Sequence, residues 1–251
     1  MISLHSLKNF ITINFTLLIV SAVQEYFGNN LLWIIFRNLT MVFGIDLALK
    51  NKKDILNYEI KEKYEYEFIF DTILASFVEF LTFYILNYRS SKYDIFNDLC
   101  YFIPISFIFE IIFDLFHYIT HRIFHIKYLY LIHKHHHEHN NIKSIIAFHQ
   151  NPLDLIVTNS VPFYITLKIV SNFYEISNLI LSTLIVYKIY TEICGHIGKE
   201  SKTSSFPQFI WLPKLLGIEL YSDDHLHHHM YVNCNYSKRF CLWDKIFGTM
   251  K

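Results

Sequence analysis

The sequence predicts an all-α protein, a multi-span membrane helical bundle that carries a cytosol-facing, histidine-rich metal domain. Hydrophobic residues make up 53% of the 251 residues and charged residues only 18%, which is typical of a membrane protein. Six apolar stretches are each close to the ~20 residues that a membrane-spanning helix needs. Eight of the 15 histidines fall between residues 114 and 139, and a second histidine-rich string lies near the end of the chain.

The six apolar stretches are the predicted membrane helices. They cover residues 7–23, 31–49, 68–86, 100–119, 153–170 and 176–194. The first ends in SAVQEYF, without a clear small-x-small cleavage site, so we interpret it as a membrane helix rather than a signal peptide. Arg37 and Asp46 lie inside the second stretch, and Asp71 and Glu79 inside the third. Because charges are costly in lipid, we expect these four to face the bundle interior or the membrane surface.

Basic residues predict the orientation of the bundle. Residues 50–67 carry five lysines, residues 87–99 carry two basic residues, and the linkers 24–30 and 171–175 carry none. The positive-inside rule then places residues 50–67 and the N-terminus in the cytosol. Counting crossings from there brings the ends of the fourth and sixth stretches to the cytosolic side, where both histidine-rich strings begin. An odd number of crossings in the last two stretches would separate the strings and forbid a shared site.

Three histidine boxes carry the predicted metal site. One acidic residue and three histidines fall within roughly one 80° sector of a helix that advances about 100° per residue. They are Asp114, His117, His121 and His125. Two further boxes have the spacing HxxHH, in which the first, fourth and fifth positions share a face. They are His133, His136 and His137 in one box, and His225, His228 and His229 in the other. His135 and His227 point away, so we expect them to face solvent or to support a ligand.

Metal binding explains this spacing better than scattered polar residues do. A lone histidine near an apolar helix is usually a satisfied polar residue. Three boxes with matched faces would leave many imidazole nitrogens unsatisfied at a membrane border, unless a metal bound them. Neutral imidazole is the commonest side-chain ligand of borderline transition metals. A low-complexity histidine tract would not show this spacing.

Other features of the sequence narrow the range of possible functions. The formal net charge is zero, so no nucleic-acid partner is suggested. The four cysteines form no CxxC pair, and we expect free thiols. No flavin or nicotinamide fingerprint is present. Trp211 to Leu220, in the segment before the last box, is predicted to be either a lid over the site or a simple connection, and the sequence favours neither.

Four strings resemble the fatty acid hydroxylase/sterol desaturase superfamily, most closely its methylsterol oxidase and sterol desaturase branch. They are DLFHYITHRIFH, IHKHHHE, DDHLHHHM and NYSKRFCLWDKIFGT, in that order. The resemblance covers residues 100–251, which we expect to form a fatty acid hydroxylase-like domain. Residues 1–99 are expected to supply N-terminal membrane helices and a charged cytosolic loop.

The resemblance implies a membrane-bound, non-haem di-iron oxidoreductase. Its reaction would be the O2-dependent hydroxylation, desaturation or methyl oxidation of a sterol or fatty acyl lipid. Two iron ions would be the cofactor, and a separate membrane redox partner would supply electrons. We expect a multi-pass protein of the endoplasmic reticulum, with its boxes facing the cytosol.

The resemblance also implies a ligand set. It includes the eight histidines of the HxxxH and HxxHH boxes, adds His196 after the last membrane helix, and leaves His117 as a tenth candidate on the box face. The predicted ligands are His121, His125, His133, His136, His137, His196, His225, His228, His229 and His117. His149, with two residues between it and Pro152, is left out, and His5 and His139 have no motif support.

Nearby acidic residues are predicted to offset charge or fix imidazole tautomers. These are Asp114, Glu138 and Asp224, with Asp223 and Asp244 as further candidates. For each of them the alternative is a solvated residue at a helix end, and for Asp223 and Asp224 a helix cap.

Two other functions stay open from the sequence. A membrane metal transporter would place ionisable residues along a path within the helices, whereas these boxes gather at helix ends. A catalytically inactive relative would hold a structural zinc cluster, although all three boxes are intact.

Overall fold

The computed structural model describes residues 4–55, 65–88, 90, 94–139, 143–199 and 204–251. Within these ranges the chain is helical, with two isolated β-bridges and no strand, which confirms the predicted all-α fold. Two of the five lysines of residues 50–67, and both basic residues of 87–99, lie outside the described residues.

Eleven α-helices follow one another in the described part of the chain. They are α1 (Leu4–Phe27), α2 (Leu31–Leu49), α3 (Glu65–Leu86), α4 (Ile95–Phe124), α5 (Tyr130–His133), α6 (Pro152–Leu155), α7 (Val161–Ser171), α8 (Asn178–Gly195), α9 (Trp211–Leu215), α10 (Ser222–Tyr231) and α11 (Leu242–Ile246). A π-helical turn, Ile156–Ser160, joins α6 to α7, and 3-10 turns span Ser144–Ile146 and Pro207–Phe209.

Five segments of the described part of the chain are long and apolar enough to cross a membrane. They are Ser6–Phe27, Leu31–Leu49, Tyr66–Leu86, Ile95–Phe124 and Pro152–Ser171. The sixth predicted stretch forms α8, which is not among the five. Instead, α8 is enclosed by α1, α2 and α4, with most of its residues buried. The charges of α8 point into the protein, since Glu192 contacts Lys238 and the Lys188 ammonium lies 5.7 Å from the Phe113 ring.

Charged residues of α2 and α3 face the bundle interior or its histidine end, as expected. The Arg37 guanidinium, 2% exposed, lies 2.7 Å from the Glu79 carboxylate and also donates to Asn38. Asp46 accepts a 2.7 Å hydrogen bond from the Ser144 hydroxyl at the end where the histidines lie. These contacts satisfy groups that would be costly in lipid.

Residues 50–55 lie beside the end of α8, on the same side of the bundle as the histidine boxes. The Ile55 amide donates to the Gly198 carbonyl oxygen at 3.0 Å, and Asp54 pairs with Lys199 at 2.8 Å. The ends of α2, α4 and α8 and the start of α3 therefore meet at one end of the bundle.

The segment before the last box packs along α1. The Trp211 ring lies 4.8 Å from the Phe10 ring, and the Asn14 amide donates to the Pro207 carbonyl oxygen at 2.9 Å. Further along, the Cys241 amide donates to the Ile218 carbonyl oxygen. The segment therefore packs along α1, and its last residue, Leu220, lines a small pocket together with His225.

Arg37 and Glu79 provide a test of how α2 packs on α3. We expect Glu79→Leu to lower the free energy of unfolding by about 3 to 5 kcal/mol, because Arg37 stays buried and loses its anionic partner. The double variant Arg37→Met/Glu79→Leu should recover most of that loss, since no charge is then left unpaired. Denaturant unfolding of the purified protein in detergent measures both changes. A double variant as unstable as the single variant would contradict this role of the pair.

Candidate metal centre

Nine of the ten predicted ligand histidines form two adjacent groups. The first contains His121, His125, His133, His137 and His228, and the second contains His136, His196, His225 and His229. Within each group, one nitrogen from every imidazole lies within 4.8 Å of the others. The groups touch, because the ring centroids of His137 and His229 are 4.7 Å apart.

Each HxxHH box is divided between the two groups. His133 and His137 belong to the first group, while His136 belongs to the second. The last box shows the reverse arrangement: His225 and His229 belong to the second group, and His228 to the first. In the helical last box, positions i and i+4 are about 40° apart, whereas i+3 and i+4 diverge by about 100°. This spacing allows one box to reach two neighbouring points, and the positions of the partner segments set which histidine joins which group.

Four chain segments position these side chains. His121 is in the last turn of α4, His125 caps that helix, and His196 caps α8. The first HxxHH box leaves α5 in successive turns, in which the His136 amide donates to the His133 carbonyl oxygen at 3.0 Å. The last box lies in α10, so all four segments end or turn at the same end of the bundle.

Hydrogen bonds at the outer edge of the first group determine its tautomers. Nδ1 of His121 lies 2.9 Å from the Tyr236 carbonyl oxygen, and Nδ1 of His133 lies 2.8 Å from the Asp154 carboxylate. Because these oxygens accept, both Nδ1 atoms carry the proton and both Nε2 atoms present lone pairs. Those two Nε2 atoms are 3.1 Å apart.

Opposed lone pairs at this distance repel unless a cation lies between them. Nitrogens that bind one metal at about 2.0–2.1 Å stand about 3 Å apart when their bonds are perpendicular. His228 fits the same arrangement, since its Nδ1 donates to the Cys234 carbonyl oxygen at 2.7 Å. Its buried Nε2 has no hydrogen-bond partner among the described residues. The residues of the first group therefore fit a metal.

The second group has similar geometry. Nε2 of His196 is 3.0 Å from Nε2 of His225, which is 3.2 Å from Nε2 of His229. Nδ1 of His196 donates to the Glu192 carbonyl oxygen at 2.8 Å, so its Nε2 also presents a lone pair.

Burial favours the neutral form of several of these imidazoles. It lowers the pKa of His125 to about 2 and that of His228 to about 3, and neighbouring histidines add to the shift. Burial also lowers the pKa of His196 to about 4, and the pKa of His136 lies well below its ordinary value for the same reason. A neutral imidazole is the form that binds a metal.

Asp154 is a functional candidate that the sequence reasoning missed. Its carboxylate is fully buried and orients His133. The signal was present, because Asp154 is an acidic residue inside the predicted apolar stretch 153–170. The rule that a charge within an apolar helix faces a functional interior would have identified it.

His117 lies outside both groups, one turn before His121. Its Nδ1 donates to the Thr158 carbonyl oxygen at 2.6 Å. Thr158 belongs to the π-helical turn, a geometry that is frequent at functional sites. His117 therefore links α4 to this turn.

The three predicted supporting acids do not contact the grouped histidines through the hydrogen bonds described here. Asp114 accepts three backbone N–H bonds, from residues 238 to 240. Glu138 contacts His135 at 3.1 Å. Asp224 accepts from the Tyr221 amide and caps α10. Asp244 accepts from the Tyr236 amide, and so steadies the carbonyl that holds His121.

A mostly apolar groove lies between the helices of the bundle. Its walls come from α2, α3, α6, α7 and α8, and its lining includes Glu192, one turn before His196. The groove has about 560 Å³ of empty space, including the open solvent at its mouth. Polar atoms of Asn38, Glu79 and Asn159 are among its lining.

Comparison with known proteins points to one family. Residues 106–249 match the family model described as fatty acid hydroxylase. The chain is 31% identical over 153 residues to a fatty acid hydroxylase of a Lecanicillium species, which covers 57% of this chain and 40% of the relative. It is 28% identical over 138 residues to the C-4 methylsterol oxidase of Schizosaccharomyces pombe, covering 54% of this chain and 43% of that relative.

A third relative is methylsterol monooxygenase 1 of Gallus gallus, 30% identical over 139 residues, or 54% of this chain and 42% of the relative. The chain thus matches less than half the length of each of these curated relatives. No solved structure matches the chain.

Asp154 provides a test of the first group. We expect Asp154→Asn to weaken retention of divalent metal by about 10- to 100-fold, because the amide no longer holds His133 in its metal-binding tautomer. Metal content after dialysis against graded chelator measures this loss. Asp224→Asn, which changes a helix cap instead, is the matched control and should retain metal. Equal retention by both variants would contradict the role of Asp154.

Proposed function

The chain belongs to the fatty acid hydroxylase family, and we propose that it is a membrane-embedded di-iron oxidase of lipids. The observation that carries this proposal is the pair of adjacent imidazole groups, with ring nitrogens directed inward. Two neighbouring metals would bind there, one held by five histidines and the other by four. Bound iron would supply O2 activation and the oxidation of a C–H bond, which amino-acid side chains cannot perform.

A ligand set made only of histidines favours a redox-active metal that binds nitrogen ligands well. Imidazole suits zinc, copper, iron and nickel, and of these zinc has no redox activity. Membership of an oxygenase family favours iron. Two metals with neutral ligands make a strongly cationic centre, and the nearby Asp154 and Glu192 carboxylates would offset part of that charge.

The protein would orient the ligand rings, exclude bulk water from the site and give the substrate access to it. Asp154 and the Tyr236 and Cys234 carbonyl oxygens hold three rings in the metal-binding tautomer. Both groups are largely buried, which keeps bulk water from the reacting atoms. The groove, whose lining includes Glu192 one turn before His196, would take up an apolar chain or ring system.

A sterol or fatty acyl lipid is the proposed substrate. The named relatives are a fatty acid hydroxylase and methylsterol oxidases, so both lipid classes remain within the proposal. The groove suits a mainly apolar molecule, and Asn38, Glu79 and Asn159 offer partners to its polar group. Hydroxylation, desaturation and methyl oxidation share the same metal chemistry.

The source of electrons and the cellular location are inferred from the same arrangement. The chain has no flavin or nicotinamide fingerprint, so a separate membrane redox protein would deliver electrons at the histidine end. Lysines at residues 50–53 lie at that end, which supports placing it in the cytosol, with the bundle in the endoplasmic reticulum membrane. Residues 1–99 would then form the N-terminal part of the bundle and residues 100–251 the hydroxylase-like domain.

Neighbouring histidines within each HxxHH box differ in their expected importance. We expect His136→Ala and His228→Ala to abolish turnover, since each removes a ligand from one group. His135→Ala and His227→Ala should retain most activity, because His135 lies outside both groups and His227 is exposed. Turnover and iron content of the four purified variants measure the difference. Equal loss of iron in all four would contradict the assignment.

Labelled oxygen tests the reaction itself. Membranes that contain the protein, supplied with 18O2 and a reductase system, should convert a sterol or an acyl lipid to an oxidised product. Product should disappear when iron is replaced by zinc, because zinc cannot activate O2. O2 consumption without any lipid change would reject the substrate class. Product formation with zinc alone would reject the mechanism, and a zinc-loaded, inactive native protein would favour a structural cluster.

A further inference from the structure

A third set of potential metal ligands lies outside the two histidine groups. One ligand atom each of Glu67, His135 and His149 lies within 4.8 Å of the other two. These residues come from three parts of the chain: the first turn of α3, the turns after α5 and the loop before α6. None of them belongs to the ligand set proposed above.

The burial and hydrogen bonding of His149 are typical of a metal ligand. It is 2% exposed, and its Nδ1 lies 2.6 Å from the Asp71 carboxylate. In the neutral tautomer that this contact selects, Nδ1 carries the proton and Nε2 presents a lone pair. That buried Nε2 has no hydrogen-bond partner among the described residues, and its closest carboxylate oxygen, on Glu138, is 3.7 Å away. An unsatisfied buried acceptor is costly, and a carboxylate behind an imidazole is typical of metal-binding histidines.

The surroundings of His149 complete a cation site. The centroid of the His135 ring is 3.8 Å from that of His149, and Nδ1 of His135 lies 3.1 Å from the Glu138 carboxylate. Glu67 and Glu138 are exposed, so two carboxylates face two imidazoles at the surface. Two negative charges match a divalent cation, and a nitrogen and oxygen donor set suits zinc.

We propose that Glu67, His135 and His149 form a third, surface-accessible site for a divalent transition metal of the zinc type, with Glu138 as an additional ligand. The cation would join the start of α3 to the turns that carry the first HxxHH box. His135 lies between His133 and His136 in the chain, so the third site would lie next to the buried groups while remaining separate from them. Because Glu67 is exposed, the ion can exchange with solvent while the buried metals stay in place.

Cobalt binding tests this site without reference to enzyme activity. The purified full chain, with its buried groups loaded as isolated, is dialysed against a mild chelator and titrated with Co2+. The visible absorption of bound cobalt and the metal content per chain are both recorded. The wild type should bind one Co2+ per chain beyond its buried metals, and Zn2+ should displace that Co2+.

Two variants and one control define the site. Glu67→Gln and His149→Gln should each weaken the additional Co2+ binding by at least about tenfold, while the content of buried metal stays unchanged. His227→Ala, which removes an exposed histidine of the last box, should bind Co2+ as the wild type does. Glu67 is exposed, so its variant tests the site without disturbing the core.

Three outcomes would overturn the proposal. They are a wild type that takes up no additional Co2+, a Glu67→Gln variant that binds it undiminished, and a loss of buried metal in step with the additional Co2+. The last outcome would mean that these residues act on the two buried groups and do not form a separate site.

Discussion

Repulsion between buried imidazole lone pairs is the constraint on which the rest of this structure depends. His121 and His133 direct unprotonated Nε2 atoms at each other across 3.1 Å, and backbone and carboxylate acceptors at their outer nitrogens prevent either ring from turning its proton inward. His228 adds a further inward lone pair. Burial lowers the pKa of His228 to about 3, so protonation of that ring does not relieve the repulsion. A cation shared by the lone pairs would change the same contacts from repulsive to attractive.

The fold supplies this arrangement through its helix ends. The ends of α4 and α8, the turns after α5 and the helix α10 converge at one end of the bundle. The C-terminal segment closes the site, because Asp114 accepts three backbone N–H bonds from residues 238 to 240. Asp244 accepts from the Tyr236 amide, and the carbonyl of that residue holds His121. The sequence predicts that Asp114 and Asp244 act on the imidazoles directly. They instead stabilise the C-terminal segment, whose backbone carbonyl oxygen holds His121.

Much of this architecture follows from local sequence patterns, and the remainder from tertiary contacts. Apolar length predicts α2 as residues 31–49, and the i, i+4 spacing predicts that the boxes converge. The division of each box between two groups depends on where the partner segments lie, which no single box specifies. The enclosure of α8 likewise follows from its neighbours, since Lys188 and Glu192 find partners only in the folded chain. Asp154 lies 21 residues from His133, and a spacing rule within one box cannot connect them.

We propose that the two histidine groups hold two irons as one centre. Mössbauer spectroscopy of the purified protein, prepared with 57Fe and combined with an iron determination, tests it most directly. The account predicts two irons per chain and two distinguishable iron signals, because one group has five imidazoles and the other four. A chain that binds fewer than two irons when fully loaded, or that excludes iron in favour of zinc, would contradict it.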